Sequence, residues 1–234
     1  MRKSSNLLVY ELIRVAVGNH AKVQQLIEAH PDLLRQRTSL GETALHHLVV
    51  ENYVEAVRFL IGLGADVNSR NKCGETPLLD AAALGHLDMV KLLIASDADT
   101  TVISKTRGFV LHCAASSGNL EVLRILAAVP DKDIDIRDDF GETPLMHAAG
   151  NSSVEVVRFL LAKGANPNAT SHSEGCALTA AIVSGHASVV EALIQGGAKC
   201  TDKDVIWDAV RWLRRKRKGA AIVDVLEKYG LISM

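Results

Sequence analysis

Gly74-Glu75-Thr76-Pro77-Leu78-Leu79-Asp80-Ala81-Ala82 returns as Gly141-Glu142-Thr143-Pro144-Leu145-Met146-His147-Ala148-Ala149, and Gly41-Glu42-Thr43-Ala44-Leu45 opens a third copy. The leucines of this phrase and of its weaker copies are Leu45, Leu78, Leu111, Leu145 and Leu178, separated by 33, 33, 34 and 33 residues. A period that regular means stacked copies of one supersecondary unit rather than one globular core. Each copy spells out a helix pair. Thr76 is suited to cap the first helix, and Pro77 to its first position, where the missing N–H costs nothing. Leu78, Ala81 and Ala82 fall at i, i+3 and i+4, on one face. The small alanines allow a neighbouring helix to come close. Gly85 breaks the chain, and Val90, Leu92, Leu93 and Ile94 make the second helix apolar on its inner side. Gly64, Gly164 and Gly197 sit just past helix ends, where a left-handed residue is wanted. A unit this small cannot bury its own apolar face, so its neighbours must cover it.

Two further phrases keep the same period. One reads Gly85-His86-Leu87-Asp88-Met89-Val90-Lys91-Leu92-Leu93 and returns from Gly118 and Gly185. The other reads Gly64-Ala65-Asp66-Val67-Asn68 and returns as Gly164-Ala165-Asn166-Pro167-Asn168. Three linked phrases in fixed order resemble the ankyrin repeat, with its T-P-L-H-x-A signature over about 33 residues. The resemblance is strongest over 38–200. It implies an all-α ankyrin-repeat solenoid of helix-turn-helix units joined by short β-hairpin-like turns. The expected organisation is a single domain over 1–234. Residues 5–37 form an N-terminal capping repeat, 38–200 five repeats, and 201–234 the C-terminal capping helices.

In the first cap, Leu7, Leu8, Leu12, Ile13 and Ala16 are expected to share a helix face, with Val23, Leu26 and Ile27 on the next helix. The repeat over 104–137 is irregular. Phe109 and Val110 replace Thr-Pro, so its first helix lacks the usual cap. Pro130 stands where other repeats place glycine, and proline cannot take positive φ, so the second helix must stop near Val129. In the last cap, Thr201 with Asp204 reads as a capping box. Trp207 and Trp212 are expected to cover the open end of the core.

Net charge is −1, which exerts no global pull toward nucleic acid or an anionic membrane. No apolar stretch approaches the length of a membrane span, and the N-terminus carries no secretory apolar run. Cys73, Cys113, Cys176 and Cys200 make no C-x-x-C pair and lack ligand-spaced histidines, so no metal is expected. A reducing, cytoplasmic home fits these cysteines. The run Arg214, Arg215, Lys216, Arg217 and Lys218 reads either as a solvated helix end or as a nuclear-import signal.

No phosphate loop, G-x-S-x-G elbow or H-E-x-x-H motif occurs, so no catalytic residue is named and no cofactor is expected. The resemblance makes His46, His112, His86 and His186 structural. His47, Asp80 and His147 share the next slot and form a polar stripe. The resemblance also implies a binding face built from hairpin tips and first-helix ends. Carried over position by position, the partner-binding candidates are Leu40, Arg70, Lys72, Leu84, Lys105, Arg137, Phe140 and His172, with Leu40, Leu84 and Phe140 as apolar anchors. The expected partner of this monomer is a protein, as an extended or partly acidic segment, with no nucleic acid and no membrane. Two other readings are a regulator of a nuclear factor, imported through 214–218, and a small-molecule enzyme.

Overall fold

The computed structural model describes residues 2–130, 132–151, 153–173, 175–199, 211 and 219–232. The helices come in antiparallel pairs, and the chain forms two compact units, Met1–Val110 and Leu111–Met234. The first unit holds α1 (Arg2–Ala16), α2 (His20–Ala29), α3 (Ala44–Val50), α4 (Val54–Gly62), α5 (Pro77–Leu84) and α6 (Leu87–Ala95). A two-stranded hairpin follows, β1 (Ile103–Ser104) and β2 (Gly108–Phe109). α7 (Val110–Ser117) leads into the second unit, which holds α8 (Leu120–Ala127), α9 (Pro144–Gly150), α10 (Val154–Ala162), α11 (Ala177–Ser184), α12 (Ala187–Gln195) and α13 (Gly219–Lys228).

First helices pack on first helices and second on second: α3 on α5 and α4 on α6, then α9 on α11 and α10 on α12. The alanines explain the close approach. Ala81, Ala82, Ala148 and Ala149 are fully buried beside Leu78 and Leu145. Second helices contribute the larger aliphatics, Val57, Leu60, Val90, Leu93, Val157, Leu160, Val190 and Leu193.

The helix ends follow from the sequence. The Thr76 hydroxyl accepts from the Leu79 amide at 3.4 Å and Thr143 from the Met146 amide at 3.4 Å, with proline behind each cap. Gly64, Gly164 and Gly197 adopt φ of 91°, 90° and 89°. At the corresponding position of the copy that opens at Gly74 stands Asp97, held at φ 61°. Pro130 cannot follow, and α8 ends at Ala127 with eight residues where α4, α6, α10 and α12 have nine.

Two sequence expectations change. Leu7 is 72% exposed, and the buried stripe of α1 is Val9, Leu12 and Ala16. α1 packs on α2, α3 and α4 along one side, so the stripe narrows to residues three and four apart. Phe109 also does more than leave α7 uncapped. It pairs with Ile103 in an antiparallel register, and Gly108 with Ser104, so strand pairing sets the entry to α7. At the other end, α13 is tied to α12 by Lys228, whose ammonium lies 2.6 Å from Glu191, and by the Tyr229 hydroxyl, which donates to the same carboxylate. Thr201, Asp204, Trp207, Trp212 and the run 214–218 lie outside the described residues. Among those described, no helix is long and apolar enough to cross a membrane.

Candidate partner-binding surface

The tips are tight turns closed by their own main chain. Thr38 N–H donates to the Glu42 carbonyl at 2.8 Å, Asn71 to Glu75 at 2.9 Å and Asp138 to Glu142 at 3.0 Å. A side chain completes each turn. Asn71 Oδ1 accepts from the amides of Cys73 and Glu75, and Asp138 Oδ1 from those of Phe140 and Glu142. Glycine then takes the left-handed position at Gly41, Gly74 and Gly141.

Neighbouring tips are joined by main chain. The Leu40 carbonyl accepts from Lys72 N–H at 3.0 Å, the Cys73 carbonyl from Lys105 N–H at 3.3 Å, and the Phe140 carbonyl from His172 N–H at 2.9 Å. The backbone of each tip residue is thus committed while its side chain is not. Leu40 is 63% exposed and Phe140 60%, at equivalent positions of their hairpins; Leu84, at the end of α5, is 49% exposed. Arg70, Lys72, Lys105, Arg137 and His172 are exposed as well. In the first unit this places Leu40, Arg70, Lys72 and Lys105 on successive hairpins, with Leu84 on the helix side. In the second, Arg137, Phe140 and His172 lie on two joined tips.

Some tip residues also serve the fold. Arg137 donates to the carbonyls of Gly141 at 2.8 Å and Thr170 at 2.6 Å. Arg37 repeats the arrangement with Gly41 at 2.8 Å and Arg70 at 2.6 Å. Each guanidinium fastens one hairpin to the next and keeps its charge in solvent.

Acids on the first unit's tips are absorbed internally. Glu75 and Asp80 are buried, and Arg107 bridges them, with Nε 3.0 Å from Glu75 and a guanidinium N–H 3.0 Å from Asp80. Glu75 also accepts from Thr106 at 3.1 Å and Asn71 at 2.8 Å. Burial pushes the Asp80 carboxyl up to about 6 against the pull of Arg107. Glu42 lies 3.1 Å from the His47 ring, poorly aligned for a hydrogen bond. The sequence reading passes over Arg107, because a bridge to an acid 27 or 32 positions earlier leaves no local pattern.

The histidines close the same hairpins onto the first helices. His46 Nδ1 accepts from the Thr43 amide at 3.2 Å, which leaves Nε2 to donate to the Glu75 carbonyl at 3.2 Å. His112 Nε2 donates to the Glu142 carbonyl at 2.9 Å. His86 and His186 donate to the carbonyls of Val50 and Gly150, at the ends of α3 and α9. Burial lowers His46, and lowers His112 to about 4, so both rings are neutral at pH 7.

One cluster escapes the sequence reading. His112, Asp138 and His147 bring potential ligand atoms within 4.8 Å of one another. Hydrogen bonds already occupy them. His147 Nε2 donates to Asp138 at 3.1 Å, and its Nδ1 lies 3.1 Å from the Ser116 hydroxyl. Burial alone would raise Asp138. The Glu142 and Phe140 amides and the His147 ring outweigh it and hold the carboxyl below its ordinary range. A metal would have to break these bonds, so the arrangement favours a structural network that braces hairpin 138–142 against α9.

Comparisons with known proteins agree with this architecture. A family model described as ankyrin repeats, in three copies, matches residues 12–104 and 110–204. The B-cell lymphoma 3 protein homolog of Mus musculus is 35% identical over 86 residues. That match takes in 37% of this chain and spans 18% of the relative's length. Among solved structures, the human ASB11 ankyrin repeat domain superposes with a TM-score of 0.75 at 24% identity, over 92% of this chain and 96% of that one. At that identity the likeness speaks for the fold alone.

Proposed function

Because the chain belongs to the ankyrin repeat family, whose members generally serve as protein–protein interaction modules, we propose that it grips a protein partner, without catalysis, on the face of its hairpin tips and first-helix ends. The observation that carries this reading is the shared state of Leu40 and Phe140. Their carbonyls are spent on the next hairpin, and their side chains stand more than half exposed. Covering such a side chain with a partner is worth about 1.5–3 kcal/mol. The turns are formed before binding, so little ordering cost is added.

The test is capture from native lysate by the full chain and by Leu40→Ala, Phe140→Ala and the double variant, read by mass spectrometry. Loss of about 2 kcal/mol of anchoring lowers recovery of the same proteins by roughly thirtyfold. Melting temperatures should stay at the parent value. Unchanged capture by the double variant sinks the reading, and a clearly lower melting temperature would make these side chains part of the fold.

A further inference from the structure

We infer that the hairpin edge of the first unit recognises an acidic, extended polypeptide segment; this rests on the tip face being the recognition surface and adds the chemistry of what lies on it. By formal charge the edge looks mixed, since Glu42, Glu75 and Asp80 interleave with Arg37, Arg70, Lys72, Lys105 and Arg107. The side-chain arrangement separates the two signs. Glu75 and Asp80 are buried under Arg107, and Glu42 is turned against His47. Arg37, Arg70, Lys72 and Lys105 form no ion pair among the described residues, and all four are exposed.

These cations are in register. Arg37 reaches the carbonyl of Arg70, Lys72 N–H takes the carbonyl of Leu40, and Lys105 N–H takes that of Cys73. Gly41 sits so close that a Cβ there would lie 2.9 Å from Lys72 N. The result is a fixed cationic row beside one exposed apolar side chain, Leu40. Carboxylates along an extended segment meet the row, and an apolar residue of the same segment covers Leu40. Glu51, exposed at the end of α3, steers acids away from the helix side and onto the tips. The second unit is a poorer fit, because Asp139 stands where the first unit has Lys72 and Lys105. Single-stranded nucleic acid needs aromatic stacking platforms beside its phosphates, and these three tips carry no exposed aromatic side chain.

The experiment selects peptides from a random displayed library on the immobilised full chain, and in parallel on Lys72→Glu/Lys105→Glu. Lys91→Glu, away from the tips on α6, is the control for an arbitrary charge reversal. The parent and the control should enrich Asp/Glu-rich peptides, which bind the double reversal about tenfold or more weakly and lose affinity as salt rises. Neutral or basic pools, or equal binding to the double reversal, overturn the inference. Tighter binding of oligo(dT) or of phosphatidylserine vesicles than of the selected peptides also overturns it, by reassigning the partner. If selected peptides depend on Leu40 but not on Lys72 and Lys105, the tip face stands and the acidic class falls. If they depend on neither, both fall.

Discussion

Arg107 holds two buried carboxylates that would repel each other without it. In Arg107→Ala, Glu75 keeps Thr106 and Asn71 while Asp80 loses its counter-ion. Stability at neutral pH should drop by about 2–3 kcal/mol, less than for a fully buried pair because the guanidinium is partly exposed. The pH dependence has a definite sign. Asp80 titrates in the folded protein near 6, above its unfolded value of 3.8, and removing Arg107 raises it further. A raised carboxyl penalises the folded state at neutral pH, and protonation relieves the penalty as pH falls through 6 toward 4. The variant's Asp80 protonates before the parent's, so the deficit of the variant should shrink as pH falls from neutral to 6 and change little below that. His46 and His112, both lowered, act oppositely, since the unfolded state gains protons first as pH falls below 6.5, but they do so equally in parent and variant. Denaturant melts of both proteins across this range check the prediction, and a deficit that grows with acid would refute it. The sequence hid this clamp because Arg107 and its partners belong to different copies of the repeat.

Single helices were largely legible. Thr76 with Pro77 and Thr143 with Pro144 announce helix starts, and a glycine every 33 or so residues announces stops, because both signals act within one turn of chain. The departures arise where a contact outside the helix decides. β1 and β2 substitute strand pairing for a missing threonine, and Leu7 loses its burial because only one side of α1 is packed. Asp97 shows the cost of keeping geometry without the residue that suits it. Its φ of 61° matches a position filled elsewhere by glycine at about 90°. Asp97→Gly is expected to raise stability by about 0.5–1 kcal/mol, the relief of left-handed strain less the entropy glycine adds to the unfolded chain. A denaturation midpoint that moves down instead would mean the aspartate makes a contact worth more than the strain.

At the scale of the whole molecule, helix pairs within each compact unit cover one another, and stability in such arrays is set by neighbouring interfaces. Leu160, fully buried on α10, tests this. Leu160→Ala opens a cavity worth about 2–5 kcal/mol. Native-state amide exchange should then lose more protection within Leu111–Met234 than within Met1–Val110. An equal loss in both would show one cooperative block. The fold was readable at this scale because the period alone dictates stacking. The proposed binding surface was readable only as a set of positions. Exposure and charge pairing at the tips depend on which long side chains turn inward, as Glu75 does and Lys72 does not.

The staples between hairpins carry one more implication. The oxygen of Leu40 and the oxygen of Phe140 do the fastening, and every L-amino acid supplies the same oxygen. On the proposed reading, a lineage can therefore rewrite these two letters, and with them its choice of target, while the architecture beneath stays untouched.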